Sequence, residues 1–110
     1  MNNREVLNVQ YKGRNLVVVR MNTVFINYFC SYIEIESHEL PALGNPRNEF
    51  DLECISYFDD FIGEPTFLGE LRGDNRIYAG FDTAHLEMEH ITLEDCFEAL
   101  KKTADRLEDL

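Results

Sequence analysis

Apolar and polar residues alternate near the start of the chain. Glu5-Val6-Leu7-Asn8-Val9-Gln10-Tyr11 sets Leu7, Val9 and Tyr11 on one face, the two-residue period of a half-buried strand. Lys12-Gly13-Arg14-Asn15 then reads as a turn, with Gly13 free to take positive φ. Leu16-Val17-Val18-Val19 is a second strand rich in β-branched side chains, and Asn22-Thr23 is a second turn. The third run, 24–35, is apolar at every even position from 24 to 32 and also at 25, 29, 33 and 35. A strand apolar on both faces needs cover on both, so it is predicted to be central or to give one face to a subunit contact.

Residues 37–50, with Pro41, Gly44 and Pro46, are predicted to be a loop. Residues 52–58 read as a fourth strand, and Asp59-Asp60 opens an acidic loop that runs through Gly63 and Pro65. Segments 66–71 and 76–82 read as two strands joined by Arg72-Gly73-Asp74-Asn75, a hairpin signal. Turn chemistry accounts for that Arg-Gly-Asp without an adhesive role.

A helix is predicted over 92–109. Thr92 is its N-cap, Asp95 completes a capping box, and Ile91 and Cys96 stand where a hydrophobic staple would close. Leu93, Phe97, Leu100, Ala104 and Leu107 form one apolar stripe. Glu94 and Asp95 suit the positive end of the helix dipole, and Lys101, Lys102 and Arg106 lie nearer the negative end. The expectation is an α+β fold in a single domain over 1–110. Strands and loops fill 1–82, in a mainly antiparallel sheet of about six short strands, and the C-terminal helix packs on one face.

Composition bounds the function. At 110 residues and 45% hydrophobic the chain can close a core without metal or disulfide. No apolar run approaches the ~20 residues of a membrane helix, and the first residues lack the apolar stretch of a signal peptide. A cytoplasmic protein is therefore expected. The net charge of −11 weighs against binding nucleic acid or anionic lipid directly. All of it lies in the second half: residues 1–50 carry five Lys/Arg and five Asp/Glu, whereas 51–110 carry five and sixteen. Cys30, Cys54 and Cys96 are too few and too far apart for a disulfide framework or a zinc site, and are expected as buried, reduced thiols.

One cluster suggests chemistry. Phe81-Asp82-Thr83-Ala84-His85 falls where a strand ends and a loop begins, with Glu87, Glu89 and His90 close behind. Asp82 and His85, joined by His38 from the end of the third run, would make an ion pair, a general-base pair or half a metal site. The competing reading is an Asx turn at Asp82 that His85 satisfies. No cofactor is called for, no metal is assigned, and no catalytic residue is named.

Four stretches resemble a family of small, mostly uncharacterised proteins of bacteriophages and prophages. Cys30-Ser31-Tyr32-Ile33 resembles the family's Cys/Trp-Gly-Tyr-Val segment, and His38 falls where it has His-Pro. Ile62-Gly63-Glu64-Pro65-Thr66-Phe67 resembles His-Gly-Gly-x-Thr-Phe, and Gly80-Phe81-Asp82-Thr83-Ala84-His85 resembles Gly-Phe-Asp-x-Ala-His. Ile62 replaces the motif's histidine, Glu64 its second glycine, and Glu39 the proline after His38. The resemblance implies a phage origin, and with it a bacterial host cell as the compartment, and carries over no activity.

The expected function is binding rather than catalysis: an inhibitor of a bacterial defence protein, anti-CRISPR-like, that imitates nucleic-acid charge toward a basic partner. Duplex DNA carries a charge per ~1.7 Å, so a ~15 Å face needs on the order of nine carboxylates. The candidate face is Asp59, Asp60, Glu64, Glu87, Glu89, Glu94, Asp95 and Glu98. The alternatives are a ligand-binding domain or hydrolase using His38, Asp82 and His85, and a phage assembly component using the two-sided third run. The oligomeric state is left open.

Overall fold

The computed structural model describes residues 3–84 and 89–110. Five strands form one antiparallel sheet: β1 (Arg4–Tyr11), β2 (Arg14–Asn22), β3 (Asn27–Ile35), β4 (Phe67–Glu70) and β5 (Ile77–Asp82). Their spatial order is β1-β2-β3-β5-β4. Two one-turn helices, α1 (Glu39–Ala42) and α2 (Glu49–Leu52), lie between β3 and β4, and the long helix α3 (Leu93–Leu107) follows β5. The expected α+β class, antiparallel sheet and C-terminal helix on one face are all present.

β1 and β2 meet at a two-residue turn in which Lys12 and Gly13 both have positive φ, 53° and 81°. That turn matches the twist of the flanking strands. The strained Lys12 is held from the helix side: its Nζ lies 2.6 Å from Asp105, which also accepts the Tyr11 hydroxyl at 2.9 Å.

Register sorts the side chains onto two faces. Leu7 and Val9 of β1, Leu16 and Val18 of β2, Ser31 and Ile33 of β3, and Ala79 and Phe81 of β5 point one way. There they meet Cys96, Leu100, Ala104 and Leu107 of α3 in a single core. Leu43, Leu52, Phe58 and Phe61 join the same core, which puts the β3–β4 segment on the helix side.

The other face is roofed by its own side chains. Val17 and Tyr78 are fully buried on it. Tyr32 lies across Gly80 and meets Phe67 edge-on, ring centroids 5.3 Å apart. The β4–β5 loop folds back so that Arg72 pairs with Glu5 on the far edge strand. β3 is thus central and covered on both faces, as its two-sided apolar pattern requires.

Gly80 is needed for that roof. A Cβ there would stand 2.7 Å from the Ser31 carbonyl oxygen and 2.7 Å from the Tyr32 ring. Gly80→Ala is expected to lower stability by about 1–3 kcal/mol, since the backbone on one side cannot yield. An unchanged urea midpoint would contradict this packing.

Three expectations are corrected. The third run does not begin at 24: Val24 and Phe25 sit in a loop before β3, 83% and 93% exposed. Thr23 closes that loop, its hydroxyl donating to the Ile26 carbonyl while accepting the Ile26 amide at 3.0 Å. Residues 52–58 are not a strand. The Asn48 side chain caps α2 by accepting the amides of Phe50 and Asp51. The chain then continues through a 3-10 turn at Ser56–Phe58. Amides of Ile55, Phe58 and Phe61 each donate to the carbonyl three residues back, at 3.1 Å. Finally, Cys54 is exposed, Cys30 half-buried and only Cys96 buried; all three are free thiols.

Candidate functional site

The period-three turns shape the acidic surface. Leu52, Ile55, Phe58 and Phe61 recur every three residues and pack into or against the core. The residues between them are pushed outward, so Glu53 and Asp59 are exposed and Asp60 half-exposed. Between Arg47 and Arg72 there is no Lys or Arg, but there are seven carboxylates. Glu53 was missed in the sequence because it fell within the expected strand; the cation-free span is the signal that reveals it.

Two open grooves carry these groups. The first, about 380 Å³, has Glu53, Asp59 and Glu64 on its rim and Leu52, Ile55, Phe58 and Pro65 on its walls. The second, also about 380 Å³, runs between the 60–62 loop and α3. It brings together Asp60, Asp95 and Glu98 with His90 and Lys102.

The expected acidic residues divide by what they already do. Asp60 pairs with Arg106, and Glu98 with Lys101 at 2.6 Å. Asp95 accepts the Thr92 amide while the Thr92 hydroxyl accepts the Asp95 amide, a complete capping box. The Thr92 amide and hydroxyl hold the Asp95 carboxyl below its usual range. Asp59, Glu64, Glu89 and Glu94 are exposed and have no ion-pair partner among the described residues. Glu87 lies outside the described residues.

The fold sets two members of the polar cluster, Asp82 and His38, apart. Asp82 pairs in register with Cys30, and His38 lies three residues beyond Ile35 on the same strand's path. Five residues of strand from Cys30 to Ile35 separate them by about 17 Å. His38 is exposed at the start of α1, its Nδ1 3.3 Å from Glu36. The Asp82 carboxylate accepts the Ala84 amide at 3.1 Å, an Asx turn. His85 lies outside the described residues. Among the described residues no three His, Cys, Asp or Glu side chains are grouped to hold a metal ion.

Cys30 stands beside Asp82 on the roofed face, where burial pushes its thiol up despite a hydrogen bond with Tyr32. Burial likewise raises the Cys96 thiol. Both thiols are therefore held protonated and are weak nucleophiles. Among the described residues, no helix is long and apolar enough to cross a membrane. No family model matches the sequence, and no curated protein or solved structure matches it.

Proposed function

We propose that the chain works by binding: it is a phage-derived inhibitor whose acidic surface occupies a basic, nucleic-acid-binding surface of a bacterial defence protein, in the manner of an anti-CRISPR. The observation that carries this reading is the cation-free span 48–71, in which Leu52, Ile55, Phe58 and Phe61 pack into or against the core while Glu53, Asp59 and Glu64 are exposed. Glu89 and Glu94 extend the same sign of charge to the start of α3. Such a surface steers toward a basic partner and is repelled by nucleic acid itself. The phage setting rests on the resemblance of the Gly80–His85 stretch and its companions.

The test is a pull-down with tagged protein from bacterial lysate containing defence systems, at low and moderate salt, with and without competing DNA. The expected result is one dominant basic partner, displaced by DNA and weakened by salt. The triple variant Asp59→Lys, Glu64→Lys, Glu94→Lys should lower its affinity by on the order of tenfold or more. Asp95 is left intact because reversing it would unmake the helix cap. Binding unaffected by the triple reversal would contradict the reading.

A further inference from the structure

The two most exposed large apolar side chains of the described residues are neighbours, Val24 at 83% and Phe25 at 93%. They stand at the tip of a loop that hydrogen bonds hold closed: the Thr23 amide donates to the Ile26 carbonyl at 3.1 Å, and the Thr23 hydroxyl bonds the same residue. The tip is therefore presented in a set shape, which lowers the ordering cost of binding through it.

Its surroundings are specific. A shallow groove at the tip ends on Glu89. A second, of about 440 Å³, runs from Glu89 and Arg20 past Tyr28 to Ile91 and Leu93. The groove of Asp60, Asp95 and Glu98 begins again at Ile91. The apolar tip and the two grooves thus adjoin one another through Asn27, Glu89 and Ile91.

We propose that Phe25, with Val24, is the apolar anchor of the interface, and that its partner is a protein surface with an apolar stripe or pocket rimmed by Lys and Arg. This rests on the binding reading above and adds to it where the contact is centred. Aromatic anchors ringed by polar groups are the usual energetic centre of protein interfaces. Charge chooses the occupant. A second copy of this chain, a nucleic acid or an anionic bilayer would each bring negative charge against a chain of net charge −11, with Arg20 the one cation beside Glu89 in the groove.

The test uses two labelled peptides of equal charge: a helix-forming Leu/Lys peptide with an apolar stripe, and the same peptide with Ser for every Leu. Fluorescence anisotropy with the full chain is expected to show at least about tenfold tighter binding of the Leu/Lys peptide. Val24→Ser with Phe25→Ser should remove that preference while leaving the melting temperature unchanged, since neither side chain is packed. Glu89→Lys with Glu94→Lys should weaken both peptides. If the double serine variant keeps the preference, or wild type shows none, the anchor is wrong while the acidic reading stands. If neither peptide binds, both fall.

Discussion

Glu39→Gln is expected to cost about 3–5 kcal/mol of stability, because it removes the bidentate carboxylate from a buried guanidinium and leaves as its nearest counter-charge the half-exposed Glu108 at 3.7 Å. Arg14 and Glu39 are each only 2% exposed. Arg14 Nη1 and Nη2 donate to the two Glu39 carboxylate oxygens at 2.9 and 2.7 Å. Nη1 also donates to the Glu34 carbonyl, and Glu39 accepts the Glu36 amide. The amide of glutamine would turn one acceptor into a donor facing a donor. Replacing both partners by apolar residues of similar volume should cost less than the single change, which separates loss of charge balance from loss of packing. A single variant within about 1 kcal/mol of wild type by urea denaturation would contradict this description.

The same pair sets an acid limit. Burial by itself would raise the Glu39 carboxyl, but hydrogen bonds from Arg14 and the Glu36 amide, with the Arg14 charge, outweigh it and hold the group below its usual value. A folded-state pKa below the unfolded one means the contribution is present above the ordinary glutamate range, near pH ~4.3, and fades as pH falls through the folded value. Wild type should therefore lose stability in acid faster than Glu39→Gln, and the two should converge. Parallel pH profiles would contradict the assignment.

Phe81→Ala is expected to cost about 3–5 kcal/mol. Phe81 is 1% exposed, its ring centroid 4.9 Å from that of Phe61, which in turn lies 5.1 Å from Phe58. Removing it opens a void where β5, the 3-10 turns and α3 share one core. A loss below about 1 kcal/mol would mean that the core closes around the gap.

These effects also explain what the Gly-Phe-Asp stretch is for. Gly80 admits the Tyr32 ring, Phe81 fills the core, and Asp82 turns the chain by accepting the Ala84 amide. Thr83 then exchanges hydrogen bonds with Phe29, its amide donating to the Phe29 carbonyl and its hydroxyl accepting the Phe29 amide. The described part of the motif that first suggested chemistry has structural work at every position from Gly80 to Thr83.

The legible parts of the fold were those with local signals. The capping box, the apolar stripe of α3 and the turns at Gly13 and 72–75 are written in residues close along the chain, and each appears where expected. The 52–58 segment was misread because β-prone side chains dominate it. The period-three spacing of Leu52, Ile55, Phe58 and Phe61 signals the 3-10 turns. Val24 and Phe25 extend an apolar run, but nothing local says that Thr23 will close a loop ahead of the strand. The Arg14–Glu39 pair was illegible because its members are 25 residues apart and only the folded chain, with Arg14 at the start of β2 and Glu39 just past the end of β3, joins them. Glu39 had stood out only for replacing a proline after His38.

Of the candidate site, the sign of charge was legible and its division was not. Asp60, Asp95 and Glu98 are engaged by Arg106, Thr92 and Lys101, while Asp59, Glu64, Glu89 and Glu94 face outward with Glu53 beside them. Only the folded chain distinguishes a carboxylate that caps a helix from one available to a partner.

The central claim is that this surface and nucleic acid compete for one basic site. The direct measurement is the affinity of the captured partner for labelled duplex DNA as the concentration of this protein is raised. Competition predicts an apparent DNA dissociation constant that rises in proportion to added protein, with no ternary complex. DNA affinity that stays constant while both ligands sit on the partner together would contradict it.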